Sequence, residues 1–319
     1  MRALATVQEQ AIASRPASLE DLAEAFLKDQ DITKGSRSTY SRSLRQFILW
    51  LQQTGRADRL ATLNREDILA YKESLQASGK TAYTVSGYVT VVRKLFQWLE
   101  SRKLYPDVTR GVKGAKKPRG FRKDILTEDQ IRETMAHIDA SSLEGLRDYA
   151  LFNVLARTGL RTVELSRATV ADLRQEPGLH RGERVLWIQG KGREEKDEFV
   201  LLTKEALQPL KAYLQARGKD GSRAEAPLFC SHSDRNNGQA LTTRSISRVV
   251  KQALRRAGLD DSRLTAHSLR HTAISLSIQG GASLQAAQSM ARHSDPKTTL
   301  VYFHNLDRVR AGAERCIHF

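Results

Sequence analysis

The chain has 319 residues, 40% of them hydrophobic, with a formal charge of +16 and a pI near 10.0. That length accommodates two domains with separate cores, and no stretch approaches the roughly 20 uninterrupted apolar residues of a membrane span. Cys230 and Cys316 stand 86 positions apart with no CxxC pair, which argues against a disulfide framework or a zinc module and fits a reducing cytoplasm.

Residues 1–17 read as a short tail without the apolar core of a signal peptide. Amphipathic spacing then begins with Leu19, Leu22, Ala23, Phe26 and Leu27, the mark of a helix. A second helix is predicted over residues 36–55, with Tyr40, Leu44, Phe47, Ile48 and Leu51 inside and Gly55 as its stop. A third, capped by Asn64 or Thr62, covers residues 65–79. A fourth runs from about Thr84 to Arg102 on Val85, Val89, Val92, Phe96 and Leu99. Four helices and no strand predict an all-α domain over residues 18–105. Arg37, Arg42 and Arg45 share its polar faces with serines and threonines, a mix suited to phosphate contacts and equally to a solvated helix face.

The charge is unevenly spread. Residues 1–105 hold 16 basic and 11 acidic groups and residues 124–319 hold 29 and 24, whereas the 18 residues between them hold seven basic groups and one acid. Lys113, Lys116, Lys117 and Arg119 lie in this Gly- and Pro-containing linker, residues 106–123. Basic chains gain affinity for nucleic acid by releasing its condensed counterions, so the linker reads as a strap along a phosphate backbone.

Past the linker, Thr127 is a predicted N-cap with Glu128 and Asp129 in the first turn. A long apolar helix follows, RDYALFNVLARTGL, ended by Gly159. Two β-rich runs between Val185 and Leu202 flank a Gly- and charge-rich turn and predict a hairpin. Helices are expected over residues 203–218 and 245–258 and through the His-rich segments beyond. The whole is mainly α with a small antiparallel β-sheet: the helical domain, then an α+β domain over residues 124–319.

Four separated segments carry candidate chemistry: TGLRTVEL with Arg161 and Glu164, GKG with Lys191 at the hairpin tip, HSLRH with His267, Arg270 and His271 on one helix face, and ARHSDPKTTLVYFH with His293 and Tyr302. Singly, each has an ordinary explanation: a surface ion pair, a common turn, a histidine pair without a third metal ligand, a core tyrosine. Together they suit attack on a phosphodiester. Two guanidiniums, Arg161 and Arg270, can fork onto non-bridging phosphate oxygens. A phenol of pKa near ~10 needs a base or strong electrostatics to act as nucleophile. His267 is the candidate base or a further phosphate donor, His293 a donor to the same phosphate, and Glu164 the group that orients Arg161. Lys191 is the candidate acid for the leaving 5′ oxygen, since Lys, unlike Arg, can give up its proton. No metal or nucleotide cofactor is needed, because a phosphotyrosine bond keeps the phosphodiester energy for rejoining.

TGLRTVEL, HSLRH and HSDPKTTLVYFH resemble, in order and spacing, the signature boxes of the tyrosine recombinases, with 23 residues from Arg270 to His293 and nine from there to Tyr302. The likeness covers essentially the whole chain and is nearest to Xer-like enzymes and small mobile-element integrases. It implies a SAM-like core-binding domain, a C-shaped clamp on double-stranded DNA, a homotetramer on two sites (or one shared with a second recombinase), 3′-phosphotyrosyl intermediates and a Holliday junction. It also implies that the tail after Tyr302 docks on a neighbouring protomer. The hairpin GKGREEKDEFVLL departs from the family pattern by an extra residue and by Glu198 where a basic residue is common; Lys191 remains the expected catalytic lysine, with Lys196 as the alternative. With about 17 residues before the first helix, no further N-terminal arm-binding domain is expected. A type IB topoisomerase shares the chemistry and is the competing expectation, with a DNA-binding architectural protein lacking catalysis as the third.

Overall fold

The computed structural model describes residues 18–56, 62–116, 124–190 and 192–310, with residues 304–310 described by backbone alone. Two compact units divide the chain, residues 1–120 and 121–319.

In the first unit, α1 (Leu19–Asp29) starts on a capping box in which Ser18 and Asp21 satisfy each other's backbone N–H groups. α2 (Lys34–Gln53) and α4 (Ala82–Ser101) begin on threonine caps, and α3 (Arg65–Ala77) on an Asn64–Asp67 capping box. The apolar faces read from the sequence point inward, and their centre is aromatic. The Phe47 and Tyr71 rings meet edge to face at 4.9 Å, with Trp50 and Phe96 alongside. Edge-to-face pairs add about 0.5–1.5 kcal/mol to the burial of ring area.

Residues 106–116, assigned from the sequence to the linker, pack on this bundle. Val112 and Ala115 join its core, and Ser86 Oγ donates to the Ala115 carbonyl at 3.2 Å. The approach is close enough that a β-carbon at Gly114 would stand 2.7 Å from Ser86 Oγ, so a larger residue there would displace the serine hydroxyl from that bond.

The second unit has a central helix, α6 (Leu143–Thr158), buried nearly all round. Before it comes α5 (Glu128–Ala136), and after it the short α7 (Thr162–Arg167). The predicted hairpin is β2 (Arg184–Ile188) and β3 (Glu198–Leu202), antiparallel with Trp187 opposite Phe199. A two-residue strand, β1 (Leu173–Arg174), pairs on the other edge of β2; a segment that short has no periodicity for the sequence to show. Five helices of more than one turn follow: α8 (Lys204–Ala216), then, beyond the single-turn α9 (Lys219–Ser222), α10 (Thr243–Arg256), α11 (Ala266–Gln279), α12 (Leu284–Ala291) and α13 (Pro296–Arg310). The core joins α6 to the inner face of the sheet and to α8 and α10, through Phe152, Leu155, Ile188, Leu202, Leu210 and Val250. Cys230 is buried beside Tyr213, whose hydroxyl also meets His232 Nε2 at 3.0 Å. A smaller apolar cluster of Ile274, Ile278, Ala287 and Ala291 surrounds the Tyr302 ring. Among the described residues no helix is long and apolar enough to cross a membrane.

Candidate active site

Three chain reversals in the second unit bring the candidate residues together. The first is the end of α6, where Gly159 takes the left-handed conformation (φ 60°) that stops the helix. The chain re-enters a helix two residues on, which places Arg161 at the N-terminus of α7. There the Arg161 N–H donates to Glu164 Oε2 at 2.7 Å and its Nη1 to Glu164 Oε1, also at 2.7 Å. Arg161 keeps a partly exposed side chain, while Glu164 is fully buried. Burial would push the Glu164 carboxyl up. The nearby Arg292 charge and the Arg161 hydrogen bonds outweigh it and hold the carboxyl below the usual carboxylate range.

The second is the start of α11, which carries HSLRH. His267, Arg270 and His271 share a face, as their spacing requires. Arg270 is buried, and its Nη1 donates to the Gly159 carbonyl at 2.6 Å while Nη2 donates to the Ala291 carbonyl. Its guanidinium therefore ties the end of α6 to the end of α12. Burial, then the charges of Arg161 and Arg292, draw its pKa down to about 10, so it remains a cation at neutral pH. His267 is exposed, with its ring 4.3 Å from the His271 ring.

The third is the α12–α13 turn. His293 follows the helix end directly, its Nδ1 2.9 Å from Thr299 Oγ1 and its ring nearly parallel to that of Tyr302 at 6.4 Å. Tyr302 lies on α13 at 1% exposure, and its hydroxyl is hydrogen-bonded to His271 Nδ1. Burial raises its pKa to about 12, with Arg270 pulling the other way. The phenol is protonated, enclosed and already touching an imidazole.

Arg161, Glu164, His267, Arg270, His293 and Tyr302 thus converge. Lys191, at the hairpin tip, lies outside the described residues. Lys196, its substitute, is held by buried Asp172, with Nζ 2.5 Å from Oδ2. Glu198 faces Arg193 at 3.5 Å. Two further residues meet the cluster without a role read from the sequence. His271 shares the HSLRH face, and its i+4 relation to His267 is a usable signal for it. Arg292, side chain 3% exposed and 2.9 Å from Glu164 Oε2, carries no periodicity that marks it as buried.

In the first unit, Arg37 does not point its guanidinium outward. It donates to the Leu27 and Gln30 carbonyls at the end of α1, at 2.5 and 3.3 Å, where a cation is favoured by the helix dipole. Arg42, Arg45, Lys113 and Lys116 are exposed, and Lys117 and Arg119 lie outside the described residues.

Two family profiles match the chain: the phage integrase family over residues 124–308 and the phage integrase N-terminal SAM-like domain over residues 19–103. A tyrosine recombinase XerD from Listeria monocytogenes is 28% identical over 290 residues, covering 90% of this chain and 93% of that protein. A tyrosine recombinase XerD from Agrobacterium fabrum is 30% identical over 312 residues, covering 91% and 90%. Among solved structures, the XerH site-specific recombinase bound to palindromic difH substrate matches with a TM-score of 0.72 at 22% identity, covering 93% of this chain and 85% of that one. The Tn1549 transposon integrase in complex with transposon right end DNA matches at 0.71 and 17%, covering 93% and 99%. At those identities the structures speak for the fold.

Proposed function

This chain belongs to the phage integrase family, and on that premise we propose that it is a site-specific DNA recombinase which cuts and rejoins duplex DNA through Tyr302. The observation that carries the assignment of roles is the meeting of the Tyr302 hydroxyl with His271 beside Arg270, Arg161 and Glu164. Arg161 and Arg270 hold the non-bridging oxygens of the scissile phosphate, donors fixed before the reaction and so costing no reorganisation in it. The Tyr302 oxygen attacks phosphorus. Its proton leaves to a histidine; His271 accepts it when Nδ1 is unprotonated, and His267, against the His271 ring, carries it on or takes that part directly.

The bond from phosphorus to the 5′ oxygen breaks as the tyrosyl ester forms. Lys191 protonates the leaving oxygen, and His293 donates to the phosphate. The 5′ hydroxyl of another strand reverses the sequence, so the count of phosphodiesters is unchanged and no cofactor enters. Four copies joined on two sites, acting through a Holliday junction in the cytoplasm, complete the reading. A second recombinase can supply half of the four. Arg42, Arg45, Lys113, Lys116, Lys117 and Arg119 bind the duplex on either side, and Arg37 contributes by fixing the α1–α2 corner rather than by touching phosphate.

The test uses sheared genomic DNA of the host, incubated without metal with the wild type or with Tyr302→Phe. Covalent complexes are then precipitated under denaturing conditions and their attached ends sequenced. Adducts from the wild type alone, clustered at one sequence, support the reading. Adducts from both proteins remove Tyr302 from its role, and none from either sinks the recombinase assignment.

A further inference from the structure

The turn that leads into His293 holds a residue with no part in the scheme above. Arg292 ends α12 in the left-handed conformation, φ 52° and ψ 49°, a region disfavoured for any residue with a β-carbon. Its guanidinium is buried. Nη2 lies 2.9 Å from Glu164 Oε2 and 3.5 Å from the Gly159 carbonyl, and Nη1 donates to the Met290 carbonyl at 2.5 Å. Nε is enclosed with no hydrogen-bond partner among the described residues. A strained backbone, a desolvated cation and an unpaired donor therefore coincide at one position. A glycine there would relieve the backbone and remove the unpaired donor, but it would also take from buried Glu164 one of its two cations.

What the position supplies is order and charge around the phosphate. Glu164 is shared, Oε1 to Arg161 Nη1 and Oε2 to the Arg161 N–H and Arg292 Nη2. In return the Arg292 carbonyl accepts from Arg161 Nη2 at 3.4 Å. Arg292 thereby locks the start of α7 to the turn ahead of His293, and both groups that face the phosphate from those elements are fixed by it. The charge count also changes. Among the described residues, Arg161, Arg270 and Arg292 against Glu164 give a net charge of two positive next to the two negative charges of a pentacoordinate phosphorus, and without Arg292 those residues give one.

We propose that Arg292 is a positioning residue for strand cleavage and joining, setting Arg161 and His293 through Glu164 and the turn, and adding a third guanidinium to the site. This rests on the recombinase reading above. The test is single-turnover adduct formation at saturating protein, on duplexes carrying the sequence recovered by the capture experiment, well below the melting temperature. Arg292→Gly is expected to bind these duplexes as the wild type does and to form adduct roughly 10- to 100-fold more slowly, within reach of what one preorganised donor contributes. Arg292→Lys should recover part of the rate.

Arg292 lines a cleft of about 530 Å³ with Trp187, Phe199, Gln288 and His293, so free guanidinium at low concentration should accelerate Arg292→Gly and leave the wild type unchanged. A residue that served stability alone would change the melting temperature and not the rate of the folded complex. Wild-type cleavage by folded Arg292→Gly overturns the proposal, and if that variant loses its cooperative melt, Arg292→Gln decides by the same criterion. Absence of adduct from the wild type itself would instead count against the recombinase reading.

Discussion

Each unit of the molecule buries tyrosine, and Tyr71 and Tyr302 have opposite surroundings. Tyr71, in the helical unit, sits among Phe47 and Trp50 with its hydroxyl lacking a hydrogen-bond partner among the described residues. Burial, with the Tyr88 phenol adding to it, drives its pKa far up. Tyr302, in the second unit, is as deeply enclosed, yet its hydroxyl meets His271 and its ring lies beside His293, with Arg270 drawing its pKa back. The same contrast extends to whole regions. Among the described residues, the buried polar side chains of the first unit are Ser43 and Thr109, while the second buries the ionisable Arg147, Glu164, Asp172, Arg270 and His271. Burying an ion is costly even when it is paired, and a core assembled for stability alone has the composition of the first unit. Burial marks where a side chain is held; its polar neighbours mark what it is held for.

That contrast can be broken most directly at the arginines. Arg161→Ala or Arg270→Ala should slow adduct formation by ~100- to 1,000-fold, the loss typical of one preorganised donor, as read from single-turnover gels. Undiminished cleavage would return that arginine to a structural role. His271→Phe keeps the volume and removes the partner of the Tyr302 hydroxyl. Since a hydrogen bond to a charged group contributes ~1.5–3 kcal/mol, cleavage should fall roughly ten- to a hundredfold with DNA affinity unchanged, and a wild-type rate would mean the contact is broken before the reaction.

The buried carboxylate gives a pH signature. Glu164 is held below its ordinary value of 4.5, so its contribution is complete above that value and is lost as pH falls through the lower folded one. Acid melting curves of the wild type should therefore drop more steeply below pH 4.5 than those of Glu164→Gln; parallel curves would show that the pair carries no such linkage. The smallest change sharpens the comparison from the other side. Tyr71→Phe removes a hydroxyl that carries a desolvation cost of about 1–3 kcal/mol when unpaired. Chemical denaturation should find that variant as stable as the wild type or slightly more so, and cleavage should not change.

Much of this was legible in the residues themselves. The helices of the first unit follow from apolar spacing and from Ser, Thr and Asn caps, because both are local signals. The hairpin was visible in its two β-rich runs, whereas β1 gains its identity only by pairing with β2. For the site, HSLRH and its fixed distances from His293 and Tyr302 located the cluster. The partnership of His271 with Tyr302, 31 positions apart, depends on how α13 lies against α11, which no spacing encodes. Arg37 looked like a phosphate ligand because the corner that turns it toward the α1 carbonyls is a tertiary feature. Arg292 was hidden for the same reason, as its partner Glu164 is 128 positions away.

Cys230 offers a clock. Its thiol is 2% exposed, so an alkylating reagent can reach it only when the surrounding core opens. In a Cys316→Ser background one thiol remains per chain, and its rate of modification counts those openings one molecule at a time. Comparing that rate with and without bound DNA converts occupancy of the duplex into the free energy by which it suppresses opening of the second unit.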